Sequence, residues 1–247
     1  MTGEGATADA AGAVFPGGTA VTDLCVYDWD AVDGRCGGSP HLHTASSEGY
    51  VVVGGSGAVH TLTGDGAQEH PLVPGDVVWF TPGTVHRLVN DGDLRLLVVM
   101  ANAGLPEAGD AVLTFPPEIL DDPDAYAAAA TLPDGAGREA AARARRDLAM
   151  TGYLALRDAV AAEGPAALAA LHARAARLVQ PRVAQWRRTW ERTVAAETDR
   201  TRAQLAALAD GAPGALASAS VSRAVPTTPE RSFGMCGRLH TWRWPAG

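Results

Sequence analysis

Three histidines and a glutamate are the residues with the clearest potential for chemistry. His41 and His43 are separated by one residue, and Glu48 follows after a short polar stretch at 44–47. In a β-strand, residues i and i+2 point to the same face, about 6–7 Å apart at a rise of ~3.3 Å per residue. Both imidazoles can therefore converge on one ion, and a turn can return Glu48 to the same point. Taken alone, two such histidines are more often polar residues at a strand edge.

A second stretch supplies a candidate for the fourth ligand. Val77–Phe80 is predicted to be a strand that runs into a turn at Pro82 and Gly83, and His86 begins the returning strand. Three imidazoles and one carboxylate suit one divalent ion of iron, manganese, nickel, cobalt, zinc or copper. The absence of thiolates from this set argues against a closed structural zinc site.

The two stretches together resemble the motifs of the cupin superfamily. The first motif, G-x5-H-x-H-x3–4-E-x6-G, matches from His41 through Glu48 to Gly55, although Arg35 stands at its first glycine. The second motif, G-x5-P-x-G-x2-H-x3-N, matches at four positions, which are Gly75, Gly83, His86 and Asn90. The proline of that motif is displaced by one residue. The resemblance covers about residues 20–113.

The resemblance implies a small β-barrel that holds one divalent metal ion through His41, His43, Glu48 and His86, with open positions for a substrate. Tyr50 lies two residues past Glu48 on the same face, so we expect it to serve as a proton donor or substrate contact, or to pack the barrel. The same alternatives apply to Trp79. Asn90 either points into the barrel or closes a turn. Arg87 follows a ligand in sequence and is expected at the surface or an interface.

The predicted organisation is α+β, with a small antiparallel cupin or jelly-roll barrel followed by a helical region. Turn signals separate short β-rich runs up to about residue 113, and the pattern becomes helical from Arg138. Residues 138–160 are expected to form one helix, or two helices with a break near Gly152, and a further helix is expected to begin at Pro165. The predicted segments are an N-terminal tail (1–19), the barrel (20–113), a connector (114–137), the helical region (138–211) and a low-complexity segment with the C-terminal tail (212–247).

Charge is unevenly distributed between the two halves. Residues 1–137 hold 3 arginines and 19 acidic residues, and residues 138–247 hold 17 arginines and 9 acidic residues. We expect the basic helices to dock on the acidic barrel of the same or a partner chain. Nucleic-acid binding is disfavoured, because acids and alanines interrupt the arginines and no DNA-binding motif is visible. Arginines at a pocket mouth that bind an anionic substrate are the third alternative.

The remaining features bound the function. A hydrophobic content of 47% excludes a disordered or fibrous chain. The sequence has no run of 18 apolar residues, so no membrane-spanning helix is predicted. Three cysteines without metal-type spacing suggest a reduced, cytoplasmic protein, with a Cys25–Cys36 disulfide as the alternative. The C-terminal residues 233–247 are too rich in tryptophan for a free tail, so we expect them to pack.

The sequence therefore predicts a metal-dependent enzyme that acts on a small polar molecule. Oxygenase chemistry at iron competes with isomerase, epimerase or lyase chemistry at manganese, nickel or zinc. The alternative from another class is a metabolite-binding sensor or regulatory module without catalysis. A small-molecule ligand and a homodimer are the partners expected.

Overall fold

The computed structural model describes residues 15–243, in which strands come first, helices second and short strands again at the end. The strands are β1 (Ala20–Val26), β2 (His41–His43), β3 (Glu48–Thr63), β4 (Gly66–Leu72), β5 (Val77–Phe80), β6 (Val85–Met100), β7 (Ala111–Leu113), β8 (Val225–Pro226), β9 (Ser232–Phe233), β10 (Gly237–His240) and β11 (Trp242–Arg243). The helices are α1 (Pro117–Leu120), α2 (Pro123–Ala130), α3 (Arg138–Glu163), α4 (Pro165–Val179), α5 (Val183–Trp190) and α6 (Ala196–Ala209). This is the α+β class that the sequence predicts.

The main sheet is antiparallel and runs in the order β4, β3, β6, β1, β10 and β9. The short strand β2 pairs with β6 and β7, and β5 pairs with β3. At the start of β3, Glu48, Tyr50 and Val52 are buried, and the residues between them are partly exposed. This period of two is typical of a strand with one face toward a core.

Strands β3 and β6 are longer than the sequence pattern predicts. Residues 50–53 and 59–62 belong to one strand, which bends where its register with β6 shifts between Val52 and Gly57. Gly55 makes the bend possible, because its φ is 71° and a Cβ there would lie 2.2 Å from the carbonyl oxygen of Asp93. Strand β4 was not predicted, since its polar sequence and Pro71 are compatible only with an edge strand, which it is.

Two apolar clusters hold the structure together. One fills the barrel and includes Leu24, Val52, Leu88 and Leu96. The other lies between the outer face of the barrel and the helices, where Leu42, Leu62 and Val85 from the strands meet buried side chains from α3 and α4. The helical region therefore packs on the barrel of the same chain.

Of the two alternatives for this stretch, the single helix is correct, because α3 is continuous through Gly152. A glycine inside a helix costs about 1 kcal/mol relative to alanine. Here it permits a close approach, because a Cβ on Gly152 would lie 2.1 Å from the carbonyl oxygen of Thr114. The glycine thus marks the contact between α3 and the chain that follows β7.

Arginine side chains join the helices to the barrel mainly through backbone carbonyl groups. Arg146 on α3 is buried and donates three hydrogen bonds across the interface. The acceptors are the carbonyl oxygens of Trp29 at 2.7 Å, Asp30 at 2.7 Å and Gly37 at 3.3 Å. The helices thus dock on the barrel, as the docking hypothesis predicts. These contacts use backbone carbonyl oxygens, however, whereas the charge asymmetry suggested carboxylates.

For Arg87, the surface alternative is wrong. Strand alternation does point its side chain away from the barrel interior, but the side chain is fully buried. It forms an ion pair with Asp33 and donates to the carbonyl oxygen of Arg35 at 3.0 Å. An isolated buried guanidinium would be costly, so this pairing is what permits its burial.

The helical segment after Pro181 is divided by a π-helical turn at Glu191–Ala195. Trp186 is buried, whereas Leu205 and Leu208 at the far end of the segment are exposed. No residue of α6 is buried. None of the helices within residues 15–243 is both long and apolar enough to cross a bilayer.

The C-terminal segment packs on the barrel, as predicted. Strand β10 pairs with β1 in a register that places His240 opposite Asp23. The adjoining Cys236 is buried, and its carbonyl oxygen accepts a hydrogen bond from the amide of Tyr27. The cysteines are free thiols, so the alternative Cys25–Cys36 disulfide is wrong. The last tryptophan of the tail, Trp244, lies outside the described residues.

Deleting residues 233–247 should destabilise the whole barrel. The deletion removes the pairing of β10 with β1 and uncovers apolar side chains beneath it, at an expected cost of at least about 3 kcal/mol in the free energy of unfolding. Chemical denaturation of both chains measures the difference. A chain that lacks only residues 244–247 keeps β10 and is the control. Equal stability of the two truncated chains would show that β10 contributes nothing.

Candidate metal centre

Two paired strands and one turn bring the predicted ligands together. His41 in β2 lies directly opposite His86 in β6, and His43 follows on the same face of β2. The turn at 44–47 leads into β3, whose first residue is Glu48. The turn is fastened by Asn102, whose amide donates to the carbonyl oxygen of Ala45 at 3.0 Å. The arrangement therefore depends on the pairing of β2 with β6.

The four side chains form one compact, buried cluster. One ligand atom from each of His41, His43, Glu48 and His86 can be chosen so that all four lie within 4.8 Å of one another. Glu48 Oε2 is 3.2 Å from His43 Nε2 and 3.0 Å from His86 Nε2. His43 is the most exposed of the four, at 8%, and His86 is fully buried. A cluster of this size can hold a single metal ion.

In His41 and His86, a hydrogen bond at Nδ1 fixes the tautomer of the ring. Nδ1 of His41 is 2.9 Å from the carbonyl oxygen of Ser39, and Nδ1 of His86 is 3.1 Å from that of Thr84. A carbonyl oxygen only accepts hydrogen bonds, so both Nδ1 atoms must carry the proton. Both Nε2 atoms then present lone pairs to the cluster. Metal-bound histidines are commonly oriented in this way.

Two buried atoms of the cluster lack a hydrogen-bond partner within the described residues. They are His86 Nε2 and Glu48 Oε2, which are close to each other but not aligned for a hydrogen bond. Burying unpaired polar atoms is costly. A divalent cation between them would satisfy both, so the donor set fits a metal ion.

The electrostatics of the cluster also favour a cation. Burial, followed by the neighbouring His86 and His43, lowers the pKa of His41 well below its ordinary value, so this imidazole is neutral. For Glu48, burial acts to raise the pKa, but His86 and His43 outweigh it and hold the pKa well below the ordinary value. Burial likewise opposes the charge on His43, yet Asp110 and Glu48 raise its pKa to about 10. Two carboxylates thus favour positive charge at this point.

Residues 30–100 match the family model described as a cupin domain. Both predicted motifs and the whole ligand cluster lie within this match. This part of the chain is a cupin domain. No curated protein sequence matches the chain.

Several solved structures are similar to part of the chain. A Klebsiella pneumoniae protein with a double-stranded β-helix domain is 20% identical over 35% of this chain and 69% of its own, with a TM-score of 0.29. Pac13 from Streptomyces, described as a nucleoside dehydratase, is 22% identical over 41% and 71%, with a TM-score of 0.31. A cupin from Bacteroides fragilis is 21% identical over 35% and 65%, with a TM-score of 0.26. Similarities of this size say nothing about the substrate of the present chain.

Tyr50 lies beside the cluster of the cupin domain. Its side chain is fully buried, and its ring centroid is 6.5 Å from that of His86 and 5.4 Å from that of Phe80. Its hydroxyl lacks a hydrogen-bond partner among the described residues. Burial, followed by the Glu48 carboxylate, raises the pKa of Tyr50 well above its ordinary value. The phenol therefore offers an unused hydrogen-bond donor near the cluster.

Asn90 and Trp79 have other surroundings. The amide of Asn90 donates to the carbonyl oxygen of Val26 at 3.1 Å and accepts from the backbone N–H groups of Gly92 and Leu94. These contacts favour the turn-closing alternative. Trp79 is 74% exposed, because strand alternation in β5 turns it outward. The expectation that Trp79 lines the pocket or packs the barrel is therefore wrong.

The other histidines make separate contacts. His60 lies 3.0 Å from Glu69, and His70 lies 3.0 Å from the hydroxyl of Thr61. His172 Nε2 lies 2.8 Å from the carbonyl oxygen of Gly83, a contact that joins α4 to the barrel. Within residues 15–243, no second group of three or more His, Cys, Asp and Glu side chains meets in the same way.

Asp110 is a residue of the site that the sequence did not reveal. It is fully buried, its Oδ1 lies 2.6 Å from His43 Nδ1, and its Oδ2 accepts from the backbone N–H of Ser46 at 3.0 Å. It immediately precedes β7, which pairs with β2. No motif spacing marks it, since only the pairing of these two short strands brings it to His43.

Asp110→Asn should weaken metal binding while leaving the four ligands in place. Loss of the carboxylate charge weakens the hydrogen bond that orients His43, and changes of this type cost about 10–100-fold in metal affinity. Competition between the protein and a fluorescent chelator for Zn²⁺ measures the affinity. Asp65→Asn, at an exposed turn, is the matched control. An Asp110→Asn affinity equal to that of the control would exclude the orienting role.

Proposed function

We propose that this chain is a mononuclear metal-dependent cupin enzyme that acts on a small polar metabolite, with His41, His43, Glu48 and His86 as the metal ligands. The observation that carries the proposal is the convergence of three imidazoles and one carboxylate whose hydrogen bonds leave ligand atoms free. Nitrogen and oxygen ligands without thiolate are typical of iron, manganese, nickel, cobalt, zinc or copper sites. A complete ligand set of this kind is characteristic of a site that supports chemistry.

The chemistry that a bound ion supplies is Lewis acidity toward a carbonyl or, for iron, redox exchange with dioxygen. The first would serve an isomerase, epimerase or lyase, and the second a dioxygenase. In either case Glu48 provides the anionic charge of the site. The apolar side chains of the barrel interior, among them Phe80 at 4.2 Å between ring centroids from His86, limit access of water.

Tyr50 is the residue of this chain best placed to assist the reaction. It is adjacent to the cluster, its hydroxyl has no competing partner among the described residues, and it shares a strand face with Glu48. A positioned hydroxyl of this kind can donate a hydrogen bond or a proton to a substrate oxygen. We assign it to substrate positioning or proton donation.

The environment of the enzyme and its assembly are parts of the same proposal. Three unpaired cysteines fit the reducing conditions of the cytoplasm. The exposed apolar side chains of Leu205 and Leu208 on α6 make a homodimer reasonable. A small molecule remains the expected ligand.

A metabolite sensor is the second candidate, and one contact favours it. His172 on α4 holds the carbonyl oxygen of Gly83, and the amide of Gly83 donates to the carbonyl oxygen of His43 at 2.9 Å. The helical region therefore touches the backbone that carries two ligands. Such a contact would allow occupancy of the barrel to be transmitted to the helices.

Elemental analysis of the purified protein tests the metal centre. We expect about one divalent ion per chain, lost in His86→Ala because three ligands hold an ion less tightly. His70→Ala, which removes a histidine outside the cluster, is the matched control. Iron together with oxygen uptake would favour the dioxygenase. Metal-free protein whose stability is unchanged by a chelator would end the proposal.

Tyr50→Phe separates catalysis from metal binding. With any substrate that the parent protein turns over, we expect kcat of Tyr50→Phe to fall about 100-fold, because the variant lacks the proton donor. Its metal content should be unchanged. Tyr153→Phe makes the same chemical change in α3 and should retain full activity. Unchanged kcat in Tyr50→Phe would exclude the assigned role. A metal-loaded protein that binds metabolites without turnover would favour the sensor.

A further inference from the structure

A groove lies on the outer side of the barrel, between β2 and the helices α4 and α5. Its volume is about 670 Å³, within the range of about 300–1,000 Å³ found for small-molecule sites. Apolar side chains form most of its lining, including Leu42, Leu105, Val179, Val183, Trp186 and Trp190. Val183 and Trp190 remain 42% and 41% exposed, so the groove is open to solvent.

This groove is separate from the metal centre. Leu42 and Thr44 belong to its lining, whereas His41 and His43 lie on the opposite face of the same strand. None of the four cluster residues lines it. A ligand in the groove would therefore be separated from the cluster by the thickness of one strand.

The charge of the groove is positive. Its lining contains Arg187 and no acidic residue, although the chain has 28 aspartates and glutamates. The nearby Arg182 donates to the carbonyl oxygen of Gly109, and Arg174 and Arg177 pair with Asp121. The side chain of Arg187, in contrast, has no ion pair or hydrogen bond within residues 15–243. Its guanidinium is available to an anion.

We infer that the groove binds a small organic anion with a flat apolar body, such as an aromatic carboxylate. The apolar body would lie against Leu42 and the two indole rings, which offer large contact areas. Arg187 would pair with the carboxylate, since a guanidinium matches that group with two parallel hydrogen bonds. The inference goes beyond the proposed enzyme, because it uses none of the metal ligands.

The groove also reaches the turn at Pro82 and Gly83, which precedes the cluster residue His86. Gly83 and His172 both belong to its lining, and they are joined by the hydrogen bond of 2.8 Å. An anion bound there would contact the same turn that precedes His86. The groove therefore includes backbone of the turn that precedes His86 but none of the four cluster side chains.

Two fluorescent probes test the inference. 1-Anilinonaphthalene-8-sulfonate carries an anionic group on a flat apolar body, and N-phenyl-1-naphthylamine has a similar body without charge. We expect one site for the anionic probe on the folded protein, with affinity reduced about tenfold in Arg187→Gln. The uncharged probe should lose less than about twofold in the same variant, because its contacts are apolar.

Three further variants make the test specific. Arg188→Gln, at the next position of α5 and outside the lining, should bind both probes as the parent protein does. Ala176→Trp fills the groove from an exposed position and should reduce binding of both at least tenfold. His86→Ala should bind both normally, which separates this site from the proposed metal centre. Near-ultraviolet circular dichroism confirms that each variant is folded, since these probes also bind partly unfolded chains.

Other results would overturn the inference. Equal losses in Arg187→Gln and Arg188→Gln would exclude the charged contact, and full binding by Ala176→Trp would place the probe elsewhere. Loss of binding in His86→Ala would place it at the metal centre. Light scattering that shows a dimer which binds no probe, and which Ala176→Trp converts to a monomer, would show that a second copy of this chain occupies the groove.

Discussion

The pairing of β2 with β6 is the interaction on which the rest of the structure depends. β2 is three residues long and meets β6 at a single register pair, His41 opposite His86. That pair brings imidazoles from distant parts of the chain to one point. Because neighbouring residues of a strand face opposite ways, the same pairing sends Leu42 and Arg87 to the outer side.

The histidine cluster lies on the inner face of this part of the barrel, and apolar side chains lie on the outer face. The outer face must therefore be shielded from water by another part of the protein. The helical region provides this cover, with Leu42 and Val85 in the apolar cluster that α3 and α4 complete. Arg146 fastens the cover to backbone carbonyl groups of the barrel. The helices are therefore part of the structure that maintains the histidine cluster, whatever further role they have.

The sequence predicts the cluster well because its information is local. Spacing within each of two short stretches marks the candidate side chains, since strand alternation and turn residues act over a few positions. The resemblance to the cupin motifs is what implies that His41, His43, Glu48 and His86 meet. Asp110 escaped notice because only the pairing of β7 with β2 brings it there. Arg87 and Trp79 show the complementary error, since exposure depends on what other elements cover. Nothing local to β5 or β6 indicates that one outer face is buried and the other is not.

Charge is used locally even though its overall distribution is uneven. Asp23 on β1 accepts from Arg95 on β6 and from Arg231 near β9. Arg95 first, with Arg231 adding to it, outweighs burial and lowers the pKa of Asp23 to about 2. One aspartate thus links three segments of the sheet, and the net charges of the two halves describe its surroundings poorly.

The position of β10 beside β1 determines how late in synthesis the sheet can be completed. Asp23 and His240 are register partners, so the sheet cannot be completed until the ribosome has released almost the whole sequence. Before then β1 has a free edge, and a free edge is a template for pairing with another chain. Contacts of such large sequence separation also slow folding. Vectorial synthesis therefore leaves the nascent barrel incomplete for the time needed to translate every helix.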